Sequence, residues 1–304
     1  MGIKLRPSKQ NRPVVADAVI PQLLNGLTIG AILVLIAIGL TLIFGLMGVV
    51  NFAHGAMYML GAYLTMEAVA ITGQFWIALI VAPLGVAILG LLLELLMIRP
   101  LYGRDPLLQV LLTFGVAVVL REAVEIIWGP RIQLLLPPAA LAGSVELLSI
   151  QYPVYRLAVL GLALGIAGAI WLVLRYTNIG LVIRSGTYDR DMVDALGINV
   201  RRVFTGVFVA GTMLAALAGA LIGPLRSVHP DMGTDVIIYA FVAVIVGGLG
   251  SFPGAIAGAL LVGIAELLGA LVFPGMARAI VYIIVAVVMI VRPAGLFGSD
   301  RTSA

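Results

Sequence analysis

The sequence predicts an all-α fold: a polytopic membrane helical bundle of about eight transmembrane helices with broken or re-entrant segments. Three observations predict it. Of the 304 residues, 62% are hydrophobic and 11% charged, with a mean hydropathy of +1.18, where a soluble domain carries roughly 25% charge. The apolar residues gather into long runs, and a bilayer-crossing helix needs about 20 of them. The polar stretches between runs stay below roughly thirty residues, too short for a separate soluble domain.

The elements follow in chain order. Residues 1–17 carry Lys4, Arg6, Lys9 and Arg12 with two prolines and read as a basic cytoplasmic tail without a cleavage site. Residues 18–298 form a single transmembrane domain, and 299–304 a C-terminal tail. Apolar runs occupy 18–46, 52–71, 75–98, 106–128, 157–174, 203–225, 236–250, 254–273 and 277–291. Placing 1–17, 99–105, 175–202 and 292–304 on one face puts thirteen of the eighteen basic residues there, which marks it as cytoplasmic. The other face receives 129–156 and 226–235. From residue 99 onward the spans alternate if 236–250 and 254–273 meet at the cytoplasmic side through Gly250-Ser251-Phe252-Pro253. The first third has the wrong parity. Either one segment is broken or re-entrant, with the break near 47–55 where Gly48, Asn51, His54 and Gly55 interrupt the run, or the tail lies outside. NFAHGA (51–56) and SFPGA (251–255) are weakly alike.

Composition excludes several functions. There is no G-x-x-x-x-G-K-[ST] loop, and Lys4 and Lys9 are the only lysines, so phosphates of ATP are not cradled by the usual device. With no cysteine, thiol and disulfide chemistry are absent. His54 and His229 stand far apart, outside any metal-binding spacing. The net charge of +4 comes from residues at span ends, a topological use rather than a nucleic-acid surface.

The charged island 186–202, GTYDRDMVDALGINVRR, breaks this apolar background. Thr187 or Asp189 can cap a helix N-terminus, and Gly197 can take the left-handed position that ends it. Between them Tyr188, Met192 and Leu196 recur at i, i+4 and i+8 with Val193 beside them, which predicts one short amphipathic helix. It could rest on lipid, but Asp189, Asp191 and Asp194 would then face an anionic leaflet. A groove of a cytoplasmic protein suits it better.

Small residues repeat every four positions at Gly211, Ala215, Gly219 and Gly223, at Gly250, Gly254 and Gly258, and at Gly161, Gly165 and Ala169. Such rows let helix backbones approach closely in lipid. Asn51 and His54, three apart at the presumed break, offer hydrogen-bonding groups to a polar solute; Thr28 and Thr113, with Asn25, Thr41 and Gln109, are weaker pathway candidates. Among the acids in or beside runs, Glu125 can pair with Arg121 at i, i+4, Glu94 sits near the interface before Arg99, and Glu266 is placed for a buried contact or a proton relay. Glu67 and Glu122 complete that set.

NGLTIGAILVLIAIGLTLIFGLMGVVNFAHGAMYMLGAYL (25–64), DALGINVRRVF (194–204), AFVAVIVGGLGSFPGAIAGALLVGIAE (240–266) and RPAGLFG (292–298) resemble the permease family of branched-chain amino acid ABC importers, in order along nearly the whole chain. The resemblance implies an all-helical subunit of the bacterial inner membrane that moves branched-chain or related hydrophobic amino acids. It implies pairing with a second related permease, as a heterodimer, with two cytoplasmic ATPases and an extracytoplasmic substrate-binding protein. ATP and Mg would sit on the ATPases, leaving this chain with no catalytic residue and no cofactor. By the same resemblance 186–199 is the loop that docks on an ATPase. NFAHG is commonly followed by Glu in the family and here by Ala56, and the family extends to urea, amide and aromatic-acid permeases. A secondary transporter driven by an ion gradient remains a competing reading, with Glu67, Glu266 and the 47–55 break as its sites. A membrane enzyme does not, for lack of a clustered nucleophile, base or metal set.

Overall fold

The computed structural model describes residues 14–147, 150–272 and 274–298. The basic residues of the tail, Lys4 to Arg12, and the C-terminal tail 299–304 lie outside the described residues. All nine apolar runs are helices: α1 (Val14–Met47), α2 (Ala53–Thr72), α3 (Phe75–Leu93, continued by a π-turn over Glu94–Ile98), α4 (Pro106–Trp128), α5 (Val154–Tyr176), then α8 (Val200–Ile222), α9 (Met232–Gly247), α10 (Phe252–Val272) and α11 (Ala277–Val291). Two short helices, α6 (Asn178–Tyr188) and α7 (Arg190–Ala195), fill the island between α5 and α8. A small antiparallel hairpin, β1 (Ser144–Leu147) with β2 (Ile150–Pro153), is the only sheet among the described residues. Five segments are long and apolar enough to cross a membrane by length and composition: Val19–Met47, Phe75–Leu101, Val154–Tyr176, Val200–Ile222 and Phe252–Leu271.

Helix ends follow local chemistry. Asp105 accepts from the Leu107 N–H at 2.8 Å, with Pro106 in the first turn of α4 where its missing N–H costs nothing. Asn199 caps α8 by accepting from Arg202 N–H at 3.1 Å. Gly73, at φ +66, closes α2 in the left-handed conformation that its lack of a Cβ allows.

Helix α1 is the axis of the bundle. It is apolar on every side and Ala31–Ile38 are all buried, as expected for a helix surrounded by protein. It runs antiparallel to α10 along a glycine seam: a Cβ on Gly26 would lie 2.9 Å from the Ile264 Cα, and one on Gly30 would lie 3.0 Å from the Leu260 Cα. Helix α8 lies against α2 by the same means, since Gly219 abuts the Tyr58 carbonyl and Gly61 the Ala216 carbonyl. Gly258 and Gly254 bring α10 onto Ala243 and Gly247 of α9. Of the predicted rows, Gly211, Gly219, Gly254 and Gly258 thus pack helix on helix. Gly250 does not belong to its row: at φ +81 it forms the turn between α9 and α10. Gly161 and Gly165 face open space, so that row packs nothing within the chain.

The two ends of the bundle differ. Loops 99–105 and 175–202 hold seven arginines at one end, the cytoplasmic one by charge; the turn 248–251 and segment 292–298 join them, with Leu296 and Phe297 N–H donating to Val246 and Gly247 carbonyls at 2.8 and 2.9 Å. At the opposite end Asn25 of α1 accepts from the Tyr152 hydroxyl at 3.1 Å and from Arg156 at 2.7 Å. Helix α1 therefore begins on the side of 129–156, opposite the island, and descends to the cytoplasm. The described part of α1 thus starts at the outer end of the bundle; the expected cytoplasmic placing of the basic tail falls on residues outside those described.

The break is also present. Gly48 turns at φ +67, residues 48–52 fold back into the bundle, and α2 starts at Ala53. The weak likeness of 51–56 to 251–255 has a shared geometry: each follows a positive-φ glycine, Gly48 or Gly250, and leads into a helix.

Candidate functional site

The cytoplasmic platform is built from α6 and α7. Thr177 caps α6 by accepting from Gly180 N–H at 3.2 Å. At Asp189 the backbone becomes extended (φ −149, ψ 104), and its carboxylate caps α7 by accepting from Met192 N–H at 2.9 Å. Thr187 is no cap, since its hydroxyl donates to the Ile183 carbonyl within α6. The single helix expected over 188–196 is therefore two helices meeting at a corner. Tyr188 ends the first and Leu196 follows the second, because Asp189 serves both: its backbone N–H donates to the Ser185 carbonyl at the end of α6 and its side chain caps α7. Gly197 is left-handed at φ +83, as its position required. Val193 is buried, whereas Tyr188 is 86% exposed, Leu196 71% and Met192 54%. Three large apolar side chains thus point away from the protein at the arginine-rich end.

Behind this platform is a packed connection to the bundle. Gly186 sits against Leu46 at the foot of α1. The Arg190 guanidinium lies 5.3 Å from the centre of the Phe204 ring of α8, and that ring meets Tyr102 edge-on at 5.3 Å. Tyr102 donates to Glu94 Oε1 at 2.6 Å; Arg99 donates to the same carboxylate through Nε at 3.2 Å and Nη2 at 3.1 Å. Thr205 Oγ1 of α8 lies 2.9 Å from Glu94 Oε2. Glu94 is fully buried, so it is not an interfacial bystander. Burial, reinforced by the hydrogen bond to Glu94, holds the Tyr102 phenol above its ordinary pKa and keeps it a proton donor.

Expected pathway residues fall elsewhere. Asn51 lies in the coil before α2 and His54 in its first turn, because the helix starts at Ala53. Both are fully buried. His54 Nε2 is 3.2 Å from the Ile36 carbonyl, and the Asn51 amide has no hydrogen-bond partner among the described residues. Thr113 is a strut for the break: it donates to the Val50 carbonyl and accepts from Phe52 N–H, each at 3.2 Å. Thr28 is also fully buried and donates to the Leu24 carbonyl at 2.9 Å.

The acids find partners near the outer end. Arg121 pairs with Glu125 at 3.0 Å as spaced, and with Asp231 at 2.7 Å. Trp128 Nε1 donates to Glu67 at 3.0 Å, and Arg226 pairs with Glu266 at 3.0 Å. This last pair lines a cavity of about 280 Å³ among α1, α2, α9, α10 and the 223–231 loop, together with Asp235, His229, Tyr58 and a wall of α1 isoleucines. Sequence reading missed this cavity, since its charges come from separate segments; the opposite charges bracketing 226–235 were the available signal.

The model of the family described as branched-chain amino acid transport system / permease component matches residues 22–292. The chain belongs to that family. The permease is 31% identical to the high-affinity branched-chain amino acid transport system permease protein BraD of Pseudomonas aeruginosa, over 91% of this chain and 95% of that one. It is 30% identical to the corresponding protein LivH of Escherichia coli K12, over 91% and 94%. Among solved structures, PsaBC from Streptococcus pneumoniae in complex with Fab is similar at 15% identity and a TM-score of 0.46, over 88% and 89% of the two chains. The family makes this chain a permease component of a transport system, a membrane protein, and five of its described helices are long and apolar enough to span a bilayer.

Proposed function

We propose that this permease is the transmembrane subunit of an ABC importer that carries branched-chain or related hydrophobic amino acids across the bacterial inner membrane. The observation that carries the reading is the family match over residues 22–292, joined to a platform that presents Tyr188, Met192 and Leu196 to water. A second related permease completes the pore, in a heterodimer. Two cytoplasmic ATPases hold ATP and Mg and supply the energy, and an extracytoplasmic binding protein delivers the solute.

The platform is the ATPase-docking element. Exposed apolar side chains on a short helical corner suit a groove of a partner protein, and Asp189, Gly197 and buried Val193 hold that corner in shape. Movement of the corner is transmitted through Arg190, Phe204 and the Glu94 cluster to α8 and α3. The test is purification followed by reconstitution. An ATPase should co-purify with this chain, and vesicles should accumulate labelled leucine only with ATP, the ATPases and the binding protein present. Uptake of urea or an aromatic acid in place of leucine would move the solute assignment to those relatives, and uptake driven by an ion gradient alone would overturn the importer reading.

A further inference from the structure

The cavity between α1 and the 223–231 loop is not used by the docking mechanism, yet it carries a defined set of chemistry. Arg226 and Glu266 pair across it at 3.0 Å. That contact takes one nitrogen of the guanidinium, and a guanidinium has five donors in a planar fork suited to carboxylate. Asp235 also lines the cavity and brings a second carboxylate to it. Ile29, Ile32 and Ile36 of α1 add an aliphatic wall to the same cavity. The volume of about 280 Å³ is at the small end for ligand sites and suits a small solute.

We propose that this cavity is a binding site for an aliphatic α-amino acid zwitterion, with the carboxylate on Arg226, the ammonium on Asp235 and the side chain against the α1 isoleucines. The assignment rests on the importer reading and deepens it. Each part selects. A carboxylic acid without the ammonium would add a negative charge beside Glu266 and Asp235 with nothing to offset it. An amine without the carboxylate would leave its positive charge beside Arg226 and the remaining guanidinium donors unused. Urea would leave the aliphatic wall uncovered by apolar surface.

The absence of cysteine supplies the test. Ser227 lines the same cavity, so Ser227→Cys places a single thiol there in the assembled importer. Its rate of reaction with a small water-soluble thiol reagent is read on this chain, alongside ATP-driven leucine uptake in the same vesicles. Leucine should slow labelling about threefold at twice its dissociation constant, as simple occupancy requires. 4-Methylpentanoate and isopentylamine at equal concentration should not protect, and Asp235→Asn in the Ser227→Cys chain should remove the protection by leucine. A filled cavity, Ile29→Trp, should slow labelling without leucine and lower uptake while ATP hydrolysis stimulated by loaded binding protein persists. Undiminished labelling by leucine in vesicles that take it up overturns the cavity assignment and leaves the importer reading standing. Equal protection by 4-methylpentanoate overturns the zwitterion chemistry. Protection by leucine in vesicles whose uptake ignores ATP supports the cavity and overturns the importer reading instead.

Discussion

Glu94→Gln removes one charge and almost no volume, and the cost can be worked from its surroundings. The buried carboxylate accepts from Arg99 at 3.2 and 3.1 Å and from Tyr102 at 2.6 Å. Breaking a buried pair by removing one partner costs about 3–5 kcal/mol. Arg99 is 33% exposed and can rehydrate, which removes part of that penalty, and glutamine keeps one acceptor oxygen for Tyr102. About 2–3 kcal/mol of destabilisation remains, within the range for hydrogen bonds to charged groups. On the scaling known for soluble domains this lowers Tm by roughly 5 °C or more. The assay is thermal unfolding of the detergent-extracted complex, with Glu146→Gln on the exposed outer hairpin as the unaffected control. Arg99→Gln in the Glu94→Gln background should then cost less than in the wild type, since the pair is already broken. A Glu94→Gln complex melting within about 1 °C of wild type, with additive effects of the two substitutions, would refute the idea that this carboxylate holds the corner between α3 and α8.

Three further outcomes follow from the packing and the platform. Gly219→Val sets a Cβ onto the Tyr58 carbonyl and, as overpacking, should cost about 1–3 kcal/mol; Gly161→Val, which meets open space within the chain, should leave the stability of the isolated chain unchanged in the same melt. Gly258→Leu pushes α10 off Ala243 of α9 and should cut the yield of the detergent-extracted complex, read by size-exclusion chromatography. Asp189→Ala removes the cap of α7, costing about 1 kcal/mol locally; ATPase stimulation should fall while Tm barely moves, and Asp189→Asn should restore most of it.

The helices were legible because lipid imposes a simple rule: every run of apolar residues near span length must satisfy its backbone internally. Run 106–128 coincides with α4 because Asp105-Pro106 is a start signal readable without any tertiary contact. The break at 48–52 was legible for the same reason, as Gly48 and Asn51 interrupt an apolar pattern. What was not legible depends on partners remote in sequence. Asp189 ends one helix and starts another, and a polar residue that can do both gives no local sign of a corner. Gly26 and Gly30 have the four-residue spacing of a seam, but only the fold names Leu260 and Ile264 as what they meet. The contact of Asn25 with Tyr152 and Arg156 joins residues more than a hundred positions apart, and no local pattern announces it. The cavity draws Ile29, Asp235 and Glu266 from three segments, and no spacing rule joins them.

The central claim is that the 186–199 corner receives its push from a cytoplasmic ATPase. Tyr188, Met192 and Leu196 are each more than half exposed, so replacing all three with Asp should leave insertion and melting largely intact. The decisive measurement is ATP-driven leucine uptake by vesicles carrying that triple variant, with ATPase retention scored in parallel. The account predicts a folded permease that has lost both its ATPase and its transport; unimpaired uptake with the ATPase still bound would contradict it.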